Sequence, residues 1–402
     1  MTHPALAALL TEDEAEPQTL ASPSGLRTRD AGELRESLRD HLWSRGITRV
    51  AHLTGFDIIG MPVHMAVKPQ GRSLSSGSGK GLTTDASWVS AVMEAWEQSV
   101  WEDLGYPGSD DLMAGANSLD RLGVRAVDAG ACAMVRRHTW TRDTPTWWTA
   151  GLDLLSGEQT WVPAGLVALL PANDRPLSPF VAGSNGLASG AHVFEAVLSG
   201  LLEVVERDGM ALYSSTRPRC DPSMRLQSCA PQLLERIQAS GLVLEVVDVT
   251  TELGIPTYVA HLGEPEGGAP GGFKGAGAGL DPDVALVRAV TEAVQARCLI
   301  VAGARDDVFE TNRAAAVRFS RPRSHPTEPL PECASLATGS IVGDVVCLLG
   351  VLQAAGFDDV VVIRHTGAQD PVQVVRVIIP GLEGYPFANA APGARAMSMS
   401  GT

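Results

Sequence analysis

Three times along the chain a glycine-rich segment runs straight into a long amphipathic helix with carboxylates on its polar side. The segments are Gly71–Gly81 ahead of about Thr84–Asp103, Ser184–Gly190 ahead of Val193–Asp208, and Gly263–Gly279 ahead of Pro282–Ala302. The glycines read as loops and the following stretches as helices that bury one side. At about 100° per residue, Trp88, Val89, Val92, Met93, Ala95, Trp96, Ser99 and Val100 share the apolar side of the first helix. Ser90, Glu94 and Glu97 fall together outside it, on an arc of about 60°. In the second helix Val193, Phe194, Val197, Leu198, Leu201, Leu202, Val204 and Val205 form the apolar side, opposite Glu195, Glu203 and Glu206, with Arg207 beside Glu203. In the third, Arg288, Thr291, Glu292 and Gln295 share the polar strip, and Leu286, Val287, Val290, Ala293 and Val294 face the core.

A solvated surface is the plain reading of such strips. Two features argue against it. Lysine is absent from all three, so the carboxylates lack the partners that normally solubilise an exposed helix. Each helix also follows glycines, where open backbone N–H groups suit phosphates. Gathered carboxylates repel unless a cation sits among them, and hard oxygen donors suit Mg²⁺ bridging to a nucleotide. A P-loop is excluded: in Gly77-Ser78-Gly79-Lys80-Gly81, Gly81 stands where Ser or Thr is required and Leu74 where the first glycine belongs. Nor is there a kinase glycine loop with its catalytic-loop motif.

The remaining chain sets the fold class. Ala31–Arg45 has helical spacing closed by Gly46, and Arg49–Val67 suggests strands. Trp147–Trp161 reads as two strands about a turn at Ser156–Gly157. Leu242–Val249, Thr257–His261, Val360–Ile363 and Val372–Ile379 read as strands, and Val345–Ala355 as a helix. No repeat period stands out and no βαβ rhythm appears, which predicts an α+β fold. Residues 1–30 read as a flexible N-terminus, 31–387 as a single catalytic domain and 388–402 as a flexible tail.

A chain of 402 residues, 45% hydrophobic and 19% charged, is globular. Its formal net charge of −15 argues against a nucleic-acid or anionic-membrane partner. The six cysteines form no C-x-x-C and no zinc-spaced cluster, so each reads as a reduced structural thiol. With acids directly after the short apolar run Ala5–Leu10, and no apolar stretch of bilayer length, a soluble cytoplasmic protein is expected.

Taken together, four segments resemble the YcaO family from about Arg45 to Tyr385. They are Gly77–Thr83 with Ser90–Glu97; Ser184–Gly190 with Glu195 and Glu203–Arg207; Asp281–Asp283 with Arg288–Glu292; and Pro371–Gly384. The resemblance implies a YcaO-type fold, acidic helices packed on a mixed β-sheet, and an ATP site with Mg²⁺ held by glutamates. By position it implies metal ligation by Glu94, Glu97, Glu203, Glu206 and Glu292. Nucleotide contacts would come from Ser90, Glu94, Glu195, Arg207 and Arg288, with Lys80 either a phosphate contact or a solvated loop lysine. Arg207, Arg288 and Glu206 would carry the catalytic work. Three departures stand out: Ala191, followed by His192, replaces a common asparagine; Gly279 replaces a common histidine; and Ala396–Thr402 lacks the Pro-x-Pro-x-Pro tail. The last suggests a stand-alone or TfuA-associated-like branch.

The chemistry implied is ATP-dependent activation of a backbone amide oxygen in a ribosomally made precursor peptide, giving an azoline (thiazoline or oxazoline) by cyclodehydration. Sulfide from a partner would give a thioamide instead, and an amine an amidine. A nucleotide-binding scaffold without turnover and an ATP-dependent amide ligase are the readings from other classes. His52 and His192 are candidate bases, and Trp140, Trp147, Trp148 and Trp161 could line a peptide groove, although structural histidines and strand-packing aromatics are the plainer readings. The partners implied are the precursor and a leader-binding or sulfur-transfer protein; a homodimer is left open.

Overall fold

The computed structural model describes residues 4–10, 14–105, 108–168, 178–181, 183–213, 217–265, 272–304, 325–384 and 390–400. In chain order the helices are α1 (Pro4–Ala7), α2 (Ala31–Leu38), α3 (Thr84–Asp103), α4 (Ala116–Arg121), α5 (Val193–Leu212), α6 (Ser223–Cys229), α7 (Pro231–Ala239), α8 (Pro282–Val301), α9 (Ile341–Ala354) and α10 (Ala394–Ser400). The first seven strands are β1 (Leu20–Ser22), β2 (Gly25–Arg27), β3 (Arg49–His52), β4 (Val63–Val67), β5 (Ser76–Lys80), β6 (Leu112–Ala114) and β7 (Thr146–Asp153). They are followed by β8 (Gln159–Pro163), β9 (Leu187–Gly190), β10 (Val243–Asp248), β11 (Thr257–Gly263), β12 (Phe273–Ala278), β13 (Val361–Arg364) and β14 (Gln373–Ile378). Long helices with separate sheets make the class α+β, and every pairing between these strands is antiparallel.

The chain forms two compact units. One comprises Met1–Thr19, Ser99–Leu212 and Thr338–Thr402; the other comprises Leu20–Gln98 and Tyr213–Ala337. In the second unit lie the sheets β3-β4-β5 and β10-β11-β12 and the hairpin β1-β2. Asp30 caps α2 by accepting the N–H groups of Gly32 and Glu33, and Gly46, at φ 68°, closes the 3₁₀ turns that extend it.

The glycine-rich segments read as loops end in strands, and the reason is close packing. A Cβ on Gly77 would stand 2.4 Å from Ala95 N, and one on Gly79 2.1 Å from Ala91 N. On β12 a Cβ at Gly275 would stand 2.2 Å from Ala293 N, and one at Gly277 2.3 Å from Ala285 O. Alternate strand positions must therefore lack a side chain so that a helix backbone can lie directly on them. Residues 266–271 of the third glycine-rich segment lie outside the described residues.

These two strand–helix pairs are copies of one unit. Gly77, Gly79, Gly81, Leu82, Asp85, Val89, Ala91, Val92, Glu94 and Ala95 recur at one constant spacing as Gly275, Gly277, Gly279, Leu280, Asp283, Val287, Ala289, Val290, Glu292 and Ala293. Both helices are 20 residues long. The core beside them joins Leu53, Ile59 and Met61 to Leu233, Ile237, Tyr258, Leu286 and Val290, all buried.

In the first unit, β6-β7-β13-β14-β9 form one sheet, with β8 on the free edge of β7 as expected for the Trp147–Trp161 hairpin. The 20-residue α5 lies on β14: a Cβ on Gly200 would stand 2.6 Å from Val377 Cγ2. The helix α9 packs on α5. Trp148 is fully buried and donates from Nε1 to Ala114 O at 3.0 Å, so it is a core residue and lines no groove. Trp140 packs edge-on against Phe180 and donates to Thr146 Oγ1 at 3.0 Å. Near the chain start, Glu14 pairs with Arg364 at 2.7 Å. Among the described residues, no helix is long and apolar enough to cross a membrane.

Candidate active site

None of the ten residues singled out from the three helices and the Gly-Lys-Gly turn is an exposed side chain. Glu195 and Glu206 are buried, while Lys80, Ser90, Glu94, Glu97, Glu203, Arg207, Arg288 and Glu292 are half-buried. The solvated-face reading therefore fails.

In the second unit the geometry is built by the duplicated strand–helix pair. Because β5 lies against the backbone of α3, Glu94 turns back onto its strand. It accepts the Ser78 N–H at 3.0 Å and the Ser78 hydroxyl at 3.3 Å through Oε2. Glu292 repeats the arrangement on α8, its Oε1 accepting the Ala276 N–H at 3.3 Å. Lys80, the last residue of β5, donates from Nζ to Glu292 Oε2 at 2.6 Å. Its own N–H meets Ser90 Oγ at 3.4 Å. Lys80, Ser90, Glu94 and Glu292 are thus brought together. Glu97 and Arg288 lie on the same two helices.

Burial pushes the Glu94 carboxyl up to about 7; the Ser78 hydrogen bonds and the Lys80 charge oppose this, and the Glu292 carboxylate adds to it. A carboxyl so placed ionises readily only when more positive charge arrives. The donors are hard oxygens on fixed backbone, which fits a magnesium ion.

In the first unit, Glu195, Glu203, Glu206 and Arg207 share α5. Arg207 stands 3.8 Å from Glu203, one turn away. The next residue, Asp208, is completely buried and is held by Arg395 at 2.6 Å and by the Glu383 N–H at 2.9 Å. Glu203 stands as far from the start of its helix as Glu94 and Glu292 do from theirs. Among the described residues no group of three or more His, Cys, Asp or Glu side chains gathers at a metal-sized position.

Several residues were out of reach of the sequence reading. Ser78 and Ala276 act through backbone N–H groups, which residue type does not reveal; the constant spacing of the copied positions was the available signal. His192 cannot act as a free base. Its Nδ1 accepts the Phe194 N–H at 3.1 Å, its Nε2 donates to Ala15 O at 3.1 Å, and burial holds its pKa down. It caps the start of α5 instead. His52 stacks on His64 at 4.6 Å and meets Thr54 Oγ1 at 2.6 Å. None of the six cysteines is joined in a disulfide; burial raises Cys229 to about 11 and Cys298 to about 12.

With this geometry in hand, residues 78–383 match the sequence profile of a family described as YcaO cyclodehydratase, ATP- and Mg²⁺-binding. The chain belongs to the YcaO family. A protein from Rhizobium leguminosarum bv. trifolii, encoded in the tfuA 3′ region, is 34% identical over 390 residues, covering 86% of each chain. A Methanothermobacter thermautotrophicus protein is 32% identical over 368 residues, covering 87% of this chain and 93% of its own. Among solved structures, YcaO from Methanopyrus kandleri, bound with AMPPCP and Mg²⁺, superposes with a TM-score of 0.69 at 22% identity, covering 90% of this chain and 94% of its own. A heterocyclase in complex with substrate and cofactor gives a TM-score of 0.74 at 23% identity over 92% of this chain. This chain spans only 55% of that heterocyclase. At these identities the two structures establish the YcaO fold.

Proposed function

We propose that this YcaO protein activates a backbone amide oxygen of a ribosomally made precursor peptide with Mg-ATP, giving an azoline by cyclodehydration. The observation that carries the reading is the matched pair Glu94 and Glu292, half-buried carboxylates fixed by strand N–H groups with Lys80 on one of them. Two half-buried carboxylates that share the single Lys80 charge leave room for a further cation. The reading assigns metal ligation to Glu94, Glu97 and Glu292 of the second unit, and to Glu203 and Glu206 of the first. It assigns nucleotide contacts to Lys80, Ser90, Glu94 and Arg288, and separately to Glu195 and Arg207.

Bound Mg-ATP would supply the phosphoryl group that makes the amide oxygen a leaving phosphate. The protein's own residues position and neutralise. Arg207 and Arg288 present planar, permanently charged donors suited to phosphoryl oxygens. Glu206, buried on α5, is held in place by its helix, and the Asp208–Arg395 pair fixes the backbone two residues beyond it. The scheme needs no covalent nucleophile from the protein, and the raised pKa values of Cys229 and Cys298 agree with a structural role for those thiols.

The product follows from the attacking group. A Cys, Ser or Thr side chain of the precursor closes an azoline with loss of one water. Sulfide supplied by a partner protein would instead replace oxygen by sulfur and give a thioamide. Mass spectrometry of precursor incubated with protein and Mg-ATP is the test. Loss of one water supports the azoline, exchange of oxygen for sulfur supports the thioamide, and an unchanged precursor mass in the presence of a verified partner overturns both.

A further inference from the structure

Of the charged differences between the two copies of the strand–helix unit, one falls on the last residue of the strand. The alternating glycines, Ala91 and Ala95 with their counterparts Ala289 and Ala293, and the strand-bound glutamate recur, but β5 ends in Lys80 and β12 ends in Ala278. Lys80 forms no ion pair with Glu94 of its own copy and acts on that carboxyl only through its charge. It crosses to the other copy, where its Nζ donates to Glu292 Oε2 at 2.6 Å. The other carboxylate oxygen of Glu292 accepts the Ala276 N–H at 3.3 Å. One oxygen is thus fixed by backbone and the other by an ammonium on a flexible stem. Both side chains keep solvent access, 27% for Lys80 and 35% for Glu292, so the ammonium has a way out.

We propose that Lys80 is an exchangeable counter-ion. It holds Glu292 in the metal-free protein, yields that oxygen when Mg²⁺ binds, and so becomes available to nucleotide phosphate. The inference rests on Glu292 being a metal ligand, as assigned above. An ammonium and a divalent ion on one carboxylate oxygen would stand a few ångström apart as like charges, and the doubly charged ion wins the oxygen. The exchange also links the two ligands: metal binding frees the lysine that the nucleotide needs, so each tightens the other.

The chain has three lysines, Lys68, Lys80 and Lys274, which makes the test direct. In protein labelled with nitrogen-15 at the lysine side chains, the Lys80 ammonium signal is assigned by its loss in Lys80→Arg. The expected result is that Glu292→Gln shifts this signal, that Mg²⁺ alone shifts it the same way in the unmutated protein, and that Lys274 stays put. Without nucleotide, Mn²⁺ binding followed by electron paramagnetic resonance should tighten about tenfold in Lys80→Met, and change little in Lys80→Arg. A Lys80 signal that stays at its metal-free position while bound Mn²⁺ is measured in parallel overturns the exchange. If Glu292→Gln leaves Mn²⁺ binding untouched, the metal assignment itself is overturned, whatever Lys80 does.

Discussion

Replacing Glu94 by glutamine tests the electrostatics of the second unit. The side chain keeps its shape and can still accept the Ser78 N–H, but it no longer titrates. In the native protein the carboxyl is raised from 4.5 to about 7, chiefly by burial. The folded state therefore binds the proton more tightly than the unfolded chain. Between about pH 4.5 and 7 the native state holds more protons, so stability falls as pH rises and levels off above the folded value. At 1.36 kcal/mol per unit, and discounted for partial solvent access, the loss is about 2–3 kcal/mol. For a unit of roughly two hundred residues that is a fall in Tm of about 4–12 °C. Thermal melts of both proteins in chelator, from pH 4.5 to 8, measure it. Glu94→Gln should remove this part of the slope and be the more stable protein at pH 8. Melting curves with the same pH dependence in both proteins would refute the burial argument.

Other outcomes follow from the same contacts. Gly79→Ala places a methyl 2.1 Å from Ala91 N and must push β5 off its helix, so it should destabilise by about 3 kcal/mol or more in urea titration. Arg395→Ala takes the guanidinium from the completely buried Asp208 and should lower stability by about 3 kcal/mol, with Arg395→Lys recovering part of it. Cys298, buried and raised to about 12, should resist alkylation at pH 8 in the folded protein and react at once in denaturant, as read by mass spectrometry. Glu203→Gln should abolish modification of the precursor while the circular dichroism spectrum stays native.

The helices were legible because their apolar stripes are long. The first was predicted over about Thr84–Asp103, and α3 has those bounds. The polar strips were also legible, and their side chains prove half-buried or buried. What the sequence concealed was the nature of the glycine-rich segments. Ser-Gly-Ser-Gly-Lys has little intrinsic strand preference; it becomes β5 because Gly77 and Gly79 must face a helix backbone, a tertiary demand that local composition does not show. The duplication is hidden in the sequence for a related reason. The copied positions are mostly glycine, alanine and valine, common residues whose recurrence matters only once the contacts are known. From its type alone His192 can be a base or, more plainly, a structural histidine, and the coordinates decide for the second because both ring nitrogens are engaged.

The central claim is that the amide oxygen itself is phosphorylated, and isotope transfer measures this whatever group attacks. A precursor peptide carrying oxygen-18 at its backbone amides, incubated with the protein and Mg-ATP, should release phosphate containing one oxygen-18 for each modification. Unlabelled phosphate, formed while the peptide is modified, would contradict the account.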